Sequence, residues 1–303
     1  MADSSLLVRC RAVAADIKLA HSLFALPFAL LAMCLAAAWA DRWPTGIELG
    51  LVLLCMVLGR TVAMTANRFA DAEIDAANPR TTGRAVPAGR VSRRFMGGTM
   101  GLAGLGFVIA SAGFWMTRGN IWPLVLSPLV LAWLVGYSWT KRFTWLCHVF
   151  LGAALALSPL AAGIAIEPGW LATPVPWLLA LMVTGWVAGF DVIYALQDVD
   201  FDREQGLHSM PSSLGVEPAL WLARVFHLVA LASLIGAGWF SSRLGVPFAV
   251  ATGAVAGLLI LEHALVAGGE TRRLDMAFFT VNGVISLLLG AAGAWDALHA
   301  ISG

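Results

Sequence analysis

Asn67–Ser92 reads NRFADAEIDAANPRTTGRAVPAGRVS, a polar stretch set between long apolar runs. Three acidic residues and four arginines fall within it. Asn67, Asp71 and Asp75 recur at i, i+4 and i+8, so on a helix their side chains stack along one face. Two carboxylates and an amide on one stripe repel each other unless a cation sits among them. Such a stripe suits Mg²⁺, a hard ion that takes one or two carboxylates together with the phosphate oxygens of a substrate. Arg80, Arg84 and Arg90 follow, and their planar forks match phosphate geometry. Read alone, the stretch also fits a solvated helix end with ordinary charge mixing.

A second cluster decides between these readings. Asp191–Ser209 (DVIYALQDVDFDREQGLHS) again closes an apolar run, with Asp198 and Asp202 four apart and Asp200 between them. Carboxylates at a membrane edge are costly and point to function.

The rest of the chain sets the fold class. Of 303 residues, 59% are hydrophobic and 12% charged, with a mean hydropathy of +0.82. A soluble domain carries about 25% charged residues. Apolar runs near the roughly 20 residues of a span predict helices over 22–40, 47–66, 95–117, 121–138, 143–165, 174–195, 217–240, 246–266 and 275–297. The expectation is an all-α polytopic membrane protein, a bundle of about nine transmembrane helices around a central cavity open to the cytoplasmic side. With no Pro/Ser-rich linker, residues 1–303 read as one domain. The net charge of +1 gives no reason to expect nucleic acid. Four cysteines without a CxxC pair read as small membrane packers. Leu23–Ala40 is long enough to stay as a span, with no leader-peptide pattern around it.

Lysine and arginine set the orientation. With a cytoplasmic N-terminus, fourteen of them fall on the cytoplasmic side and three (Arg42, Arg118, Arg243) outside. The acidic clusters follow spans two and six, so the parity puts both on the cytoplasmic side, where they are expected to face one cavity. Tyr137–Arg142 (YSWTKR) follows span four on the same side. Lys141 and Arg142 there read either as positive-inside anchors or as a phosphate clamp, and Tyr137 shares a helical i, i+4 spacing with Lys141. Trp39, Trp43, Trp122, Trp139, Trp170 and Trp177 lie mostly near span ends, as interfacial belts do. Trp186 and Phe190, one turn apart before Asp191, are candidates to line an apolar tunnel. The small residues of Gly97–Gly106 and Gly283–Gly293 predict close helix packing.

At these residues the chain resembles the UbiA superfamily of intramembrane aromatic prenyltransferases. The likeness spans nearly the whole length: Asn67-x₃-Asp71-x₃-Asp75, its continuation Asn78–Gly89, Tyr137-x₃-Lys141-Arg142, and Asp191-x₂-Tyr194-x₃-Asp198-x₃-Asp202 with Gly206 and Ser209. His21–Pro27 (HSLFALP) and Tyr194–Ser209 look most like the branch associated with futalosine-route menaquinone synthesis. Ala85 departs from the pattern, since many relatives have proline there, and leaves the loop less rigid.

The resemblance implies transfer of a polyprenyl group from a polyprenyl diphosphate to a ring carbon of a small hydroxylated aromatic acid. A dihydroxynaphthoate is the favoured acceptor in menaquinone or ubiquinone biosynthesis, with 4-hydroxybenzoate as the alternative. Other members use haem, chlorophyll-type or lipid acceptors. It implies Mg²⁺ on Asn67, Asp71, Asp75, Asp198 and Asp202, and diphosphate contacts from Arg80, Arg84, Lys141 and Arg142. Asp191, with Tyr194 nearby, is the candidate to accept or orient the acceptor's phenolic proton. Arg60 is open to two readings: a ligand for the acceptor's carboxylate or a snorkelling span residue. His21 and His208 remain open between substrate contact and structural hydrogen bonding. The implied location is the lipid bilayer of a bacterial inner membrane, with the active-site loops cytoplasmic. A cation-coupled transporter would place its acids near the midplane with broken helices, and a CDP-alcohol phosphotransferase would carry one compact motif; neither pattern is present.

Overall fold

The computed structural model describes residues 5–17, 24–267, 274 and 276–302, in which helices are joined by turns and loops and there is no strand. His21, whose role the sequence leaves open, lies outside the described residues. The chain forms two compact units, each assembled from two segments.

One unit takes the described part of Met1–Ser22 together with Leu54–Trp139. It contains α1 (Leu6–Asp16), most of α3 (Gly46–Ala70), the short α4 (Ala72–Ala77), α5 (Arg93–Arg118) and α6 (Trp122–Gly136). Ser92 caps α5 by accepting from Phe95 N, and Gly119 ends it in the left-handed region. Val13, Ile17, Ala85, Val91 and Met96 form a small core under the loop between α4 and α5. Ala85 is central there: it is fully buried, and its carbonyl accepts from Arg90 N and Val91 N at 3.0 and 3.1 Å. Backbone bonds therefore brace the loop at the position where the sequence predicts less rigidity.

The second unit takes the described residues of Leu23–Leu53 and Thr140–Gly303. It holds α2 (Leu26–Trp39), α7 (Cys147–Ile166), α8 (Val175–Tyr194), α9 (Val199–Glu204), α10 (Met210–Leu214), α11 (Val216–Phe240), α12 (Val246–Leu265), a π-helical turn (Met276–Val281) and α13 (Asn282–Ser302). Helix α8 packs between α7 and α11, α2 lies on α7 and α13, and α12 lies on α11 and α13. That central place explains why α8 is apolar on all sides. Trp186 and Phe190 on α8 are not a tunnel lining: they are 0% and 2% exposed. Phe28 closes edge-on over Trp186 at 5.4 Å, and Phe190 does so at 5.1 Å. Trp186 Nε1 donates to Asn282 Oδ1 (2.6 Å), and Asn282 Nδ2 donates to Glu262 Oε1 (2.8 Å).

Eight helices among the described residues are long and apolar enough to span a membrane. The first expected span is the shortfall. Its helix begins only at Leu26, with Pro27 in the first turn, and its 14 residues rise about 21 Å against a hydrocarbon core of about 30 Å. Both glycine-rich stretches pack closely in part: a Cβ on Gly290 would fall 2.5 Å from Pro27 Cβ and one on Gly106 3.3 Å from Leu58 Cδ2, whereas Gly98, Gly101 and Gly283 have nothing within 4 Å. Among the tryptophans near span ends, Trp170 is the exception, buried at 2% exposure.

A buried ion pair fastens the turn after α2. Arg42 grips both oxygens of Glu48 at 3.0 and 2.8 Å and donates to Ile166 O at 3.0 Å. Thr45 N donates to Glu48 Oε2 at 2.7 Å, and Glu48 is 0% exposed. Removing one partner of such a pair strands the other charge. Glu48→Ala is expected to lower unfolding stability in nanodiscs by about 3 kcal/mol, read as a thermal midpoint; an unchanged midpoint would show the pair to be dispensable.

Candidate active site

The first acidic cluster sits where α3 hands over to α4. The helical bonds continue through the break: Asp71 N donates to Asn67 O (2.9 Å), and Asp75 N donates to Asp71 O (2.7 Å). The expected stack of Asn67, Asp71 and Asp75 therefore holds although the helix is interrupted at Asp71. Asp71 is 1% exposed and Asp75 3%. Asn67 Nδ2 donates to Asp71 Oδ2 (3.0 Å), while Asn67 Oδ1 accepts from Arg68 Nη1 (2.6 Å). The amide oxygen thus already accepts one bond from an arginine, and its second lone pair is left for a further ligand.

Arg68 is one residue that the sequence did not single out. It is 6% exposed and pairs through Nε with Asp16 Oδ2 of α1 at 3.5 Å. Its adjacency to Asn67 was the available signal, masked because a basic residue at a span end also fits positive-inside anchoring. Arg84 reaches the same cluster, donating from Nη1 to Asp75 Oδ1 (2.6 Å). Arg80 is exposed, with its backbone N–H on Asn78 Oδ1 (2.9 Å). Arg60 lies deeper on α3 and donates from Nη2 to Ile17 O (3.3 Å). Arg60, Arg68 and Asp71 all lie within electrostatic range of Tyr137.

The second cluster follows α8. A 3₁₀ turn (Ala195–Asp198) and α9 carry Asp198 and Asp202, both half-buried, while Asp200 is exposed. Asp198, Lys141 and His148 lie within electrostatic range of Asp202. Tyr194 meets the Phe279 ring edge-on at 6.3 Å. Tyr137–Arg142 winds as a 3₁₀ helix, in which residues three apart eclipse. The i, i+4 spacing of Tyr137 and Lys141 therefore does not bring the common face that the sequence predicts. His208 is exposed, and its backbone N–H donates to Lys141 O (2.7 Å).

Asp191 has a partner that no reading of the sequence supplied. Its Oδ2 lies 2.7 Å from His148 Nδ1, and His148 is 3% exposed. His148 is the second residue of α7, a single histidine in an apolar run 43 positions from Asp191. Nothing in spacing or pattern links the two.

The donor set fits Mg²⁺. Asp75 Oδ2 is buried without a hydrogen-bond partner, and the available ligands are hard oxygens. Among the described residues no three or more His, Cys, Asp or Glu gather closely enough to hold a metal ion by themselves. Mg²⁺ does not need such a group, because it keeps waters and binds through one or two carboxylates plus substrate phosphates.

Known proteins bear on this arrangement. The profile of the UbiA prenyltransferase family matches residues 25–295. A 4-hydroxybenzoate octaprenyltransferase of Yersinia enterocolitica is 31% identical over 264 residues, covering 82% of this chain and 88% of its own. The apo structure of a UbiA homolog from Aeropyrum pernix matches with a TM-score of 0.80 and 33% identity, covering 91% of this chain and 97% of that one. A UbiA homolog from Archaeoglobus fulgidus, bound to DMAPP and Mg²⁺, shares the fold with a TM-score of 0.70 at 16% identity, over 96% and 99% of the two chains. The chain described here belongs to the UbiA prenyltransferase family and is an integral membrane enzyme.

Proposed function

We propose that this protein transfers a polyprenyl group from polyprenyl diphosphate to a ring carbon of a hydroxylated aromatic acid in quinone biosynthesis, with a dihydroxynaphthoate as the favoured acceptor. The observation that carries the reading is that the chain holds two kinds of acidic site. Asp71 and Asp75 lie buried beside arginines, and Asp191 is held by a histidine that itself lies within electrostatic range of Asp202.

In this reading Asp71 and Asp75 of the first cluster and Asp198 and Asp202 of the second would hold Mg²⁺, and Asn67 would complete one metal shell or orient a bound water. Bound Mg²⁺ supplies positive charge against the departing diphosphate. Arg80, Arg84, Lys141 and Arg142 bind outer phosphate oxygens. The allylic C–O bond breaks with its electron pair leaving on the diphosphate. The ring carbon then bonds to the allylic carbon, and the proton that leaves this ring carbon passes to the released diphosphate. Asp191, assisted by Tyr194, takes or orients the acceptor's phenolic proton, which makes the ring more electron-rich. Arg60 binds the acceptor's carboxylate. The allylic cation needs a dry pocket, since water would otherwise capture it. The site lies on the cytoplasmic side of a bacterial inner membrane.

A second reading, with 4-hydroxybenzoate as acceptor, is favoured by the relative from Yersinia enterocolitica. Purified protein in nanodiscs, given Mg²⁺, a polyprenyl diphosphate and both acids in competition, separates the two. Prenylation of a dihydroxynaphthoate in excess over 4-hydroxybenzoate is the expected result. The reverse preference would move the enzyme to the second reading, and diphosphate release without alkylation of either acid would reject both acceptors.

A further inference from the structure

Two hydrogen bonds fix the state of His148. On one side of the ring, Nδ1 lies 2.7 Å from Asp191 Oδ2. On the other, the backbone N–H of Met210 points at Nε2 across 3.2 Å. A backbone N–H can only donate, so Nε2 must be the bare, accepting nitrogen and the ring proton must sit on Nδ1. His148 is therefore a neutral Nδ1–H imidazole that donates to the carboxylate. The second oxygen of Asp191 has no hydrogen bond among the described residues, and the side chain is 24% exposed. One oxygen is clamped and the other is presented.

The segment that supplies Met210 is itself tightly held. Gly206 turns the chain at φ +64, a conformation that a side chain disfavours. Leu207 N then donates to Asp202 O (2.8 Å), and His208 N donates to Lys141 O (2.7 Å). Cys147 Sγ donates to His208 O (3.3 Å), and Ser209 closes a capping box with Ser212 at the start of α10. The stretch from Asp202 to Met210 thus links the second acidic cluster to the imidazole that holds Asp191.

We propose that His148 is the positioning residue for Asp191: locked as the Nδ1–H tautomer by Met210, it turns the carboxylate so that its second oxygen meets the acceptor's hydroxyl. The inference rests on the assignment of Asp191 to the acceptor made above. His148 itself touches neither substrate.

Two amides divide its functions. In His148→Asn the amide nitrogen occupies the place of Nδ1 and keeps the donor to Asp191. In His148→Gln the amide reaches the place of Nε2, keeping contact with Met210 but losing that donor. Prenyl transfer by the full chain in nanodiscs is measured for both variants, alone and with Asp191→Asn, beside thermal unfolding. His148→Gln is expected to lower kcat about tenfold to a hundredfold, with the KM for polyprenyl diphosphate unchanged within about twofold. His148→Asn is expected to recover activity to within about threefold of wild type. In the Asp191→Asn background, His148→Gln should cause no further loss.

Equal losses in the two amide variants, or additive loss in the double variant, would reduce His148 to packing and overturn the proposal. If His148→Gln does not fold, His148→Asn at wild-type activity still supports it, and an inactive but folded His148→Asn sinks it. A fully active Asp191→Asn enzyme would remove the assignment of Asp191 on which the proposal stands.

Discussion

Asp71→Asn and Asp198→Asn should each lower prenyl transfer by at least about a hundredfold, the range seen when one group that stabilises developing charge is removed. Asparagine is the informative replacement because it removes charge and little else. At position 71 it still offers an oxygen to Asn67 Nδ2, which now donates across 3.0 Å, so the buried packing around a residue 1% exposed is preserved. Unfolding midpoints should stay close to wild type, so that loss of turnover reports on the ion and diphosphate and not on the fold. Two controls use the same chemistry outside the proposed site: Asp200 is exposed, and the Glu73 side chain is 88% exposed beside Arg93. Asp200→Asn and Glu73→Gln are expected to leave turnover within about twofold, as exposed charges contribute little. Turnover by Asp71→Asn near the wild-type rate at saturating Mg²⁺ would remove the first cluster from the reaction. The same result for Asp198→Asn would remove the second.

Both clusters were legible in the sequence because they are local. Asn67, Asp71 and Asp75 need only one helical periodicity to come together, and the i→i−4 bonds across Asp71 keep that periodicity through a break in the helix. Long apolar runs likewise mark membrane helices whatever their neighbours, so the elements from α3 onward fall close to their expected places. What stayed hidden depends on which helices touch. The pairs His148–Asp191 and Arg68–Asp16 join residues far apart in sequence, and each basic partner had an ordinary explanation where it stood. Trp186 and Phe190 misled for the same reason. An aromatic pair one turn from a functional aspartate looks like a pocket lining until Phe28 and Asn282 are seen to enclose it. The 3₁₀ winding of Tyr137–Arg142 has no signal in YSWTKR that separates it from the last turn of an α-helix.

Gly152→Ala is expected to be among the most damaging single-methyl additions in the chain, although Gly152 is far in sequence from either acidic cluster. Gly152 lies on α7 against α8. A Cβ there would overlap the carbonyl oxygen of Thr184 and stand 3.1 Å from its C and Cα. A flexible side chain can rotate aside, but this neighbour is helix backbone, so the two helices must separate or the methyl must strain the joint. Overpacking of this kind typically costs about 1–3 kcal/mol, and Gly152→Val should prevent accumulation of folded protein. The loss should reach turnover as well, because α7 carries His148 and α8 carries Asp191, whose bond is 2.7 Å long. Gly98→Ala is the matched comparison: it too is helical, with nothing within 4 Å of the added methyl. There alanine should be neutral or stabilising by up to about 1 kcal/mol through its higher helix propensity. Thermal midpoints of the two variants in nanodiscs test the contrast, and a Gly152→Ala protein as stable as wild type would show that the α7–α8 joint can yield without cost.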